Sequence, residues 1–170
     1  IGVLSRFKKE NLVENIDVLI ILSGLEPNRT LLENKLVKEF ENHSKKVVLI
    51  QGKVEKQSKK WISKNITFYN YLLSNELQKA INSSKLIICR SGYSSIMDLA
   101  VLQKRAFFIP TKNQSEQEYL AKYLSEKKVA PFSEINQFSK DKIEKSFIFK
   151  GLKSEETILN LDLFSLFERK

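Results

Sequence analysis

Arg90, Ser91 and Gly92 end an apolar run, and Ser94, Ser95 and Asp98 follow within what reads as the next helix. No other group in the chain has residue types and spacing with such clear chemical meaning. Residues 86–89 are continuously apolar, an amphipathic pattern of Ile96, Leu99, Ala100 and Leu102 takes over after the turn, and a second apolar run occupies 106–109. The order is strand, tight turn, helix, strand. Such a turn leaves backbone N–H groups and serine hydroxyls at a helix N-terminus, where the unpaired donors and the macrodipole favour an anion. It reads as a phosphate seat. Ser94 or Ser95 stands three or four residues before Asp98, so the hydroxyl and the carboxylate share one helix face. Ser95 to Asp98 also fits S-x-x-D, a capping box that involves no ligand. Arg90 could pair with a phosphate or tie down a neighbouring carboxylate.

A turn of this kind needs a sheet behind it. Residues 17–22 (DVLIIL) are a run typical of a strand buried on both faces, ending at Ser23 and Gly24. A loop with Pro27 leads into a helix over 29–42, with Leu31, Leu32, Leu36, Val37 and Phe40 at helical spacing and Asn28 or Thr30 as its cap. Strands are expected at 47–50, 66–69, 86–89, 106–109 and 129–132, and helices at 72–81, 115–127, 140–149 and 155–168. Residues 51–60 read as loop. Alternation at these intervals predicts an α/β, doubly wound, Rossmann-like, mostly parallel six-stranded sheet with helices on both faces. If the first strand neighbours the 86–89 strand, the Ser23-Gly24 and Ser91-Gly92 turns open into one crevice at the switch point. A Cβ at Gly24 would then obstruct close backbone approach, although a plain helix-entry turn also uses glycine.

At 170 residues the chain suffices for one well-cored domain. Its start at Ile-Gly rather than Met suggests a piece of a longer protein. Residues 1–16 read as a linker or the end of a preceding half, 17–150 as the ligand-binding domain and 151–170 as a C-terminal helix. One cysteine and one histidine supply no soft-metal cluster, and no metal site is expected. His43, near the end of the first helix, reads as a dipole-favoured surface residue rather than a base. The net charge of +9 comes largely from lysine pairs, which suit a solvated surface or attraction to an anionic membrane. No aromatic-basic motif accompanies them, so nucleic acid is not an expected partner. No apolar run approaches the roughly 20 residues a membrane span needs.

The stretch 85–120 resembles the C-terminal, nucleotide-sugar-binding half of GT-B glycosyltransferases of the MurG type. The likeness rests on the apolar strand running into Cys89-Arg90-Ser91-Gly92, an acidic residue six positions past that glycine, an apolar strand ending in Pro110, and a glutamine-bearing helix start. It implies that Ser91, Gly92 and Ser94 or Ser95 hold the diphosphate of a UDP-sugar and that Asp98 bonds the ribose hydroxyls. Gln117 would contact the donor sugar, with Glu118 where the family has a second glutamine. Asn70 and Tyr71 match the loop whose backbone reads the uracil ring, although Tyr69 and Tyr71 would also serve as ordinary packing. The family has a glycine-rich turn after its first strand, whereas here it reads Ser23-Gly24-Leu25-Glu26-Pro27. A Glu26 facing a diphosphate would repel it, so that side chain must turn elsewhere.

The resemblance implies a cytoplasmic enzyme, with or without peripheral contact at the membrane face. It would move a sugar such as N-acetylglucosamine from a UDP-sugar to an acceptor hydroxyl in bacterial cell-envelope glycan synthesis. No cofactor beyond the donor is expected, and no base is evident, so the acceptor site and base would belong to a missing N-terminal half and this piece alone would be inactive. A UDP-sugar hydrolase sharing the half-fold, or a non-catalytic nucleotide-sugar-binding or partner subunit, are the alternatives.

Overall fold

The computed structural model describes residues 5–53 and 55–154. Six strands form one sheet in the order β3-β4-β2-β1-β5-β6: β1 (Ile16–Ile21), β2 (Val47–Ile50), β3 (Lys60–Ser63), β4 (Ile66–Tyr69), β5 (Ser84–Cys89) and β6 (Ala106–Phe108). All pairings are parallel except that of β3 with β4. The α-helices are α1 (Asn28–Phe40), α2 (Ser74–Asn82), α3 (Tyr93–Val101) and α4 (Ser115–Glu126), followed by 3-10 segments at Ile135–Gln137 and Lys140–Ile148. The chain moves outward from β1 in one direction and returns through α2 to β5 on the other side of β1. The switch point therefore lies between β1 and β5.

Alternate residues of the central strands feed two separate cores. Leu19, Ile87, Cys89 and Phe108 pack with Ile81 of α2, Leu99 of α3 and Ala121 of α4. Val18, Ile20, Leu49, Ile88 and Phe107 pack on the opposite face with Leu32, Leu36 and Phe40 of α1 and with Ile143. That two-sided burial is why these strands are continuous apolar runs. The doubly wound sheet is as expected, but one of its strands is not.

Residues 129–132 make a single bridge, Phe108 to Phe132, because Pro131 has no N–H with which to extend a ladder. The sixth strand is β3, in the stretch around 51–65 where a loop or no element was expected. It pairs antiparallel through the two-residue turn Lys64-Asn65, with Lys64 in the left-handed region at φ 53°. All four of its residues are exposed and Trp61 stacks on Phe68 at 5.1 Å, so β3 lacks the buried face that makes a strand legible.

Residues 5–15 contain no helix or strand, yet they lie along α2 and α3 rather than standing apart. Phe7 is 5% exposed and belongs to the core on that face. The Lys8 N–H donates to Gln78 Oε1 at 2.8 Å, Glu10 N–H to Asn82 Oδ1 at 3.1 Å, and Lys104 Nζ to Glu14 Oε1 at 2.9 Å. The helix expected over 155–168 falls outside the described residues.

Candidate functional site

Strand register places the site loops at one level. Ile21 of β1 aligns with Ile50 of β2 and Cys89 of β5, and Ile50 aligns with Tyr69 of β4. Ser23, Gly52, Tyr71 and Ser91 are each two residues beyond these aligned positions, so all four leave the sheet along the same edge. The β1 and β5 turns are neighbours there, as a crevice at the switch point requires.

Helix α3 starts at Tyr93 with Gly92 as its N-cap, and no side chain caps it. The Ser95-to-Asp98 capping box is therefore not formed, since Ser95 lies inside the helix. Gly92 has φ −72° and ψ 147°, which any residue adopts, and a Cβ there would meet no protein atom within 4 Å. Neither backbone strain nor packing explains glycine at this point. Open space in front of uncapped N–H groups is what an incoming anion needs. Ser91, fully buried, donates its hydroxyl to the Gln117 carbonyl at 2.7 Å, which fastens the first turn of α4 beside this helix start.

Arg90 lies behind the turn and is 4% exposed. Its Nη1 donates to the carbonyls of Ile109 at 2.9 Å and Pro110 at 3.0 Å, and its Nη2 to the Asn28 carbonyl at 3.1 Å. The side chain thus joins the ends of β5 and β6 to the start of α1 across the switch point. Neither role expected for it, phosphate pairing or tying down a carboxylate, describes this clamp on three carbonyls. Burial pushes its pKa down from the usual guanidinium value, and Nε finds no acceptor among the described residues.

A cleft of about 770 Å³ opens beside the α3 N-terminus, lined by Ser5, Arg6, Tyr93, Ser94, Met97 and Asp98. Ser94 and Asp98, one helical turn apart, both reach it; Ser95 is not among its lining residues. The Ser5 hydroxyl donates to Asp98 Oδ1 at 2.6 Å and accepts the Phe7 N–H at 3.0 Å. Arg6 brings a cation to the same cleft, its guanidinium 5.0 Å from the Phe7 ring centroid. Sequence reading missed Ser5 and Arg6. The available signal was Phe7, an aromatic in a polar stretch that marks a docking point and fixes its neighbours on α3.

The loop after β1 explains Glu26. Its carboxylate pairs with Arg29 and accepts the first-turn Thr30 N–H at 3.1 Å; the N-cap position of α1 is Pro27, so neither Asn28 nor Thr30 caps the helix. Hydrogen bonds from Arg29 and then Thr30 hold it down to about 2. An acid placed there satisfies the α1 terminus internally, and the repulsion expected of a free carboxylate is reduced. Gly24 has φ +97° and no atom within 4 Å of a Cβ position, so backbone conformation, not crowding, requires glycine. Ser23 beside it is exposed.

Asn70 is 1% exposed and occupied: Oδ1 accepts the N–H groups of Lys59 at 2.7 Å and Tyr71 at 2.9 Å, and Nδ2 donates to the Gln57 carbonyl at 2.9 Å. Its own carbonyl accepts Lys53 N–H at 2.8 Å and the Tyr71 carbonyl accepts the Ser58 hydroxyl at 3.2 Å. These groups tie Lys53 and residues 57–59 to the end of β4. Gln117 Oε1 accepts Thr111 N–H and Glu118 Oε1 accepts Asn113 N–H, each at 2.9 Å, so both shape the loop after β6. Glu118 also lines a separate cavity of about 350 Å³ with Lys112, Lys122, Phe132 and Ile135.

His43 is not the dipole-favoured cation expected. Its Nδ1 accepts the Lys45 N–H at 3.1 Å, which requires the ring to be neutral at that nitrogen. Desolvation, then Lys140 and Lys45, push its pKa down. Burial alone pushes the Cys89 thiol up to about 12, so it is inert as a nucleophile. Among the described residues no cluster of three or more His, Cys, Asp or Glu side chains is placed to hold a metal, and no helix is long and apolar enough to cross a membrane.

Solved glycosyltransferase structures share this fold, two of them as follows. The glycotransferase of kitacinnamycin superposes with a TM-score of 0.60 at 14% identity, over 87% of this chain and 38% of that one. The glycosyltransferase SnogD from Streptomyces nogalater does so with a TM-score of 0.58 at 12% identity, over 85% of this chain and 37% of that one. The chain thus spans less than two-fifths of the length of either protein. No curated protein matches it in sequence. The family model for the glycosyltransferase family 28 C-terminal domain matches residues 24–157, from the glycine after β1 to beyond the last described residue. With the greater part of its 170 residues matched, the chain belongs to the glycosyltransferase family 28 C-terminal domain family.

Proposed function

We propose that the chain is the donor-binding half of a MurG-like, GT-B glycosyltransferase that takes a sugar from a UDP-sugar, with N-acetylglucosamine the expected sugar. The acceptor would be a hydroxyl in bacterial cell-envelope glycan synthesis, on the cytoplasmic side. The observation that carries this reading is the uncapped α3 N-terminus opening, past Gly92, onto the cleft of Ser94 and Asp98. In it the diphosphate lies against the α3 N–H groups and the Ser94 hydroxyl, with Arg6 as counter-charge, and Asp98 receives the ribose hydroxyls through the oxygen that Ser5 leaves free. Catalysis at such a site is electrostatic: fixed donors stabilise the charge that builds on the departing diphosphate. The base and the acceptor pocket belong to the other half of the enzyme, so this chain binds donor without turning it over.

Calorimetry of the chain with UDP, ADP and GDP tests the reading. UDP is expected to bind and the purine diphosphates to bind more weakly. Equal binding of all three, or none, refutes the uridine assignment.

A further inference from the structure

Helix α4 packs on the core through Ala121 and Leu124. Its outward side carries two rows of residues one turn apart: Glu118 with Lys122 and, one residue on from each, Tyr119 with Tyr123. The first row borders the cavity of about 350 Å³ beside the loop after β6, and the second stands in solvent, with Tyr119 66% and Tyr123 44% exposed. Their ring planes differ by 19° and their centroids lie 6.1 Å apart, so the flat faces look the same way and one extended ligand can lie along both. Lys127 Nζ, 5.7 Å from the Tyr123 centroid, steadies that ring from one side. Neither ring belongs to either core.

The cavity continues this surface. Phe132, 37% exposed, and Ile135 give it apolar lining, and Asn113 and Asn136 supply carboxamides. Its charges cancel, because Lys112 and Lys122 are matched by Glu118 and Glu134. The cleft of Ser94 and Asp98 shares no lining residue with it. Gln117, whose carbonyl takes the Ser91 hydroxyl beside the α3 start, does not line it either. The two sites are therefore distinct.

We propose that the outer face of α4 and this cavity bind a neutral oligosaccharide. A pyranose ring is amphiphilic: C–H groups cover its faces and hydroxyls surround its edge. The faces suit Tyr119, Tyr123 and Phe132, and the hydroxyls suit carboxylates, carboxamides and ammonium groups that together accept and donate. A cavity of this volume is at the small end for a ligand site and takes a sugar-sized unit. A polyanion gains nothing from a lining whose charges cancel, and a protein partner is disfavoured by charged groups that the centre of a protein interface lacks. On the donor reading UDP occupies the α3 terminus, so the saccharide is the part of an acceptor or product glycan remote from the reacting hydroxyl. That assignment rests on the donor reading; saccharide binding does not.

The test is an NMR titration of the isotope-labelled 170-residue chain with N-acetylchitotriose, maltotriose and cellotriose, each beside its monosaccharide. At least one trisaccharide is expected to bind, about fivefold or more tighter than its monosaccharide, with shifts at Tyr119, Tyr123 and Phe132 and little dependence on salt. Tyr119→Ala and Phe132→Ala are each expected to weaken it about fivefold or more and to leave UDP affinity unchanged. Phe147→Ala, at an aromatic 42% exposed elsewhere on the surface, is expected to change nothing. Thermal melts verify folding, and if Phe132→Ala unfolds, Tyr119→Ala decides alone. No binding of any trisaccharide, or equal losses in Phe147→Ala and Tyr119→Ala, overturns the proposal. So does displacement of the saccharide by UDP-N-acetylglucosamine but not by UDP, which would make the surface the donor-sugar pocket. A heparin fragment bound in preference to the neutral sugars, or a dimer abolished by Tyr119→Ala without saccharide binding, overturns it as well. Saccharide binding by a chain that does not bind UDP upholds the site and removes only its assignment to acceptor or product.

Discussion

The Ser5 hydroxyl donates to Asp98 Oδ1 across 2.6 Å, joining the N-terminal segment to the helix that opens the cleft. This bond orients the carboxylate and occupies one of its two oxygens. It also gives Asp98 a second role, fastening residues 5–7 to α3, which has to be separated from ligand binding. Asp98→Asn keeps size and helix but removes the charge that makes bonds to ribose hydroxyls strong, each worth roughly 1.5–3 kcal/mol. UDP affinity is expected to fall about tenfold or more, with inorganic pyrophosphate little affected. If calorimetry finds UDP binding intact while the melting temperature drops, Asp98 is a fastening residue and the ribose assignment fails.

Two glycines give opposite expectations. At Gly52, with φ +67°, a Cβ would lie 2.5 Å from the Leu22 carbonyl oxygen, so Gly52→Ala must strain the backbone or displace β1's exit. A loss on the order of 1–3 kcal/mol is expected in urea unfolding. At Gly92 the backbone is permissive and the space empty, so Gly92→Ala is expected to fold, to lose no more than the roughly 1 kcal/mol by which alanine is a poorer N-cap, and to bind UDP less tightly. A destabilised but fully binding Gly92→Ala variant contradicts the close approach of ligand at the α3 terminus. Gly24 cannot serve in this test, because its φ of +97° penalises any side chain whatever the ligand does.

Arg90 supplies hydrogen bonds to three carbonyls from a buried position. Lysine keeps the charge but has no planar fork with which to reach both sides of the switch point. Arg90→Lys is expected to cost on the order of 2 kcal/mol of stability, measured by urea midpoint at constant slope, because carbonyls are left unpaired. Unchanged stability with a large loss of UDP affinity would show instead that the guanidinium serves the ligand directly.

His43 makes stability depend on pH in a defined direction. Its folded pKa lies below the 6.5 of the free side chain, chiefly through desolvation and then through Lys140 and Lys45. The unfolded chain therefore binds the proton more readily. The contribution is fully present above pH 6.5 and is lost as pH falls from there through the folded value. Urea midpoints are expected to drop between pH 7.5 and pH 5.5 in the parent chain by more than in His43→Gln, about where histidine titrates. Parallel curves for the two proteins would remove His43 from the account.

Much of the frame is written locally. A strand buried on both faces must be apolar at every position, so β1, β2 and β5 are visible as runs, and a helix that packs on one side must repeat at helical spacing, as Leu32, Leu36 and Phe40 do. The Ser91-Gly92 turn stands out for the same reason: polar and glycine residues interrupt apolar runs only where the chain leaves the sheet. Strand β3 was hidden because an exposed edge strand has no buried face to leave a pattern. Residues 129–132 misled because their apolar character serves docking rather than pairing.

Nothing in the residue string distinguishes a free polar group from an occupied one, because partners are chosen by chain segments far apart. Asn70 is spent on Lys59 and Gln57, and Arg90 on Ile109, Pro110 and Asn28, whereas Ser94 and Asp98, one oxygen of which takes the Ser5 hydroxyl, line an open cleft. By itself the sequence determined the doubly wound sheet and the strand-turn-helix at 86–101, since both follow from short-range periodicity. Which side chains line the cleft, and that Ser5 and Arg6 join them from the far end of the chain, was decided only by tertiary structure. Burial of Phe7 draws that segment across α3, and hydrogen-bond satisfaction inside the fold settles what is left over for a ligand.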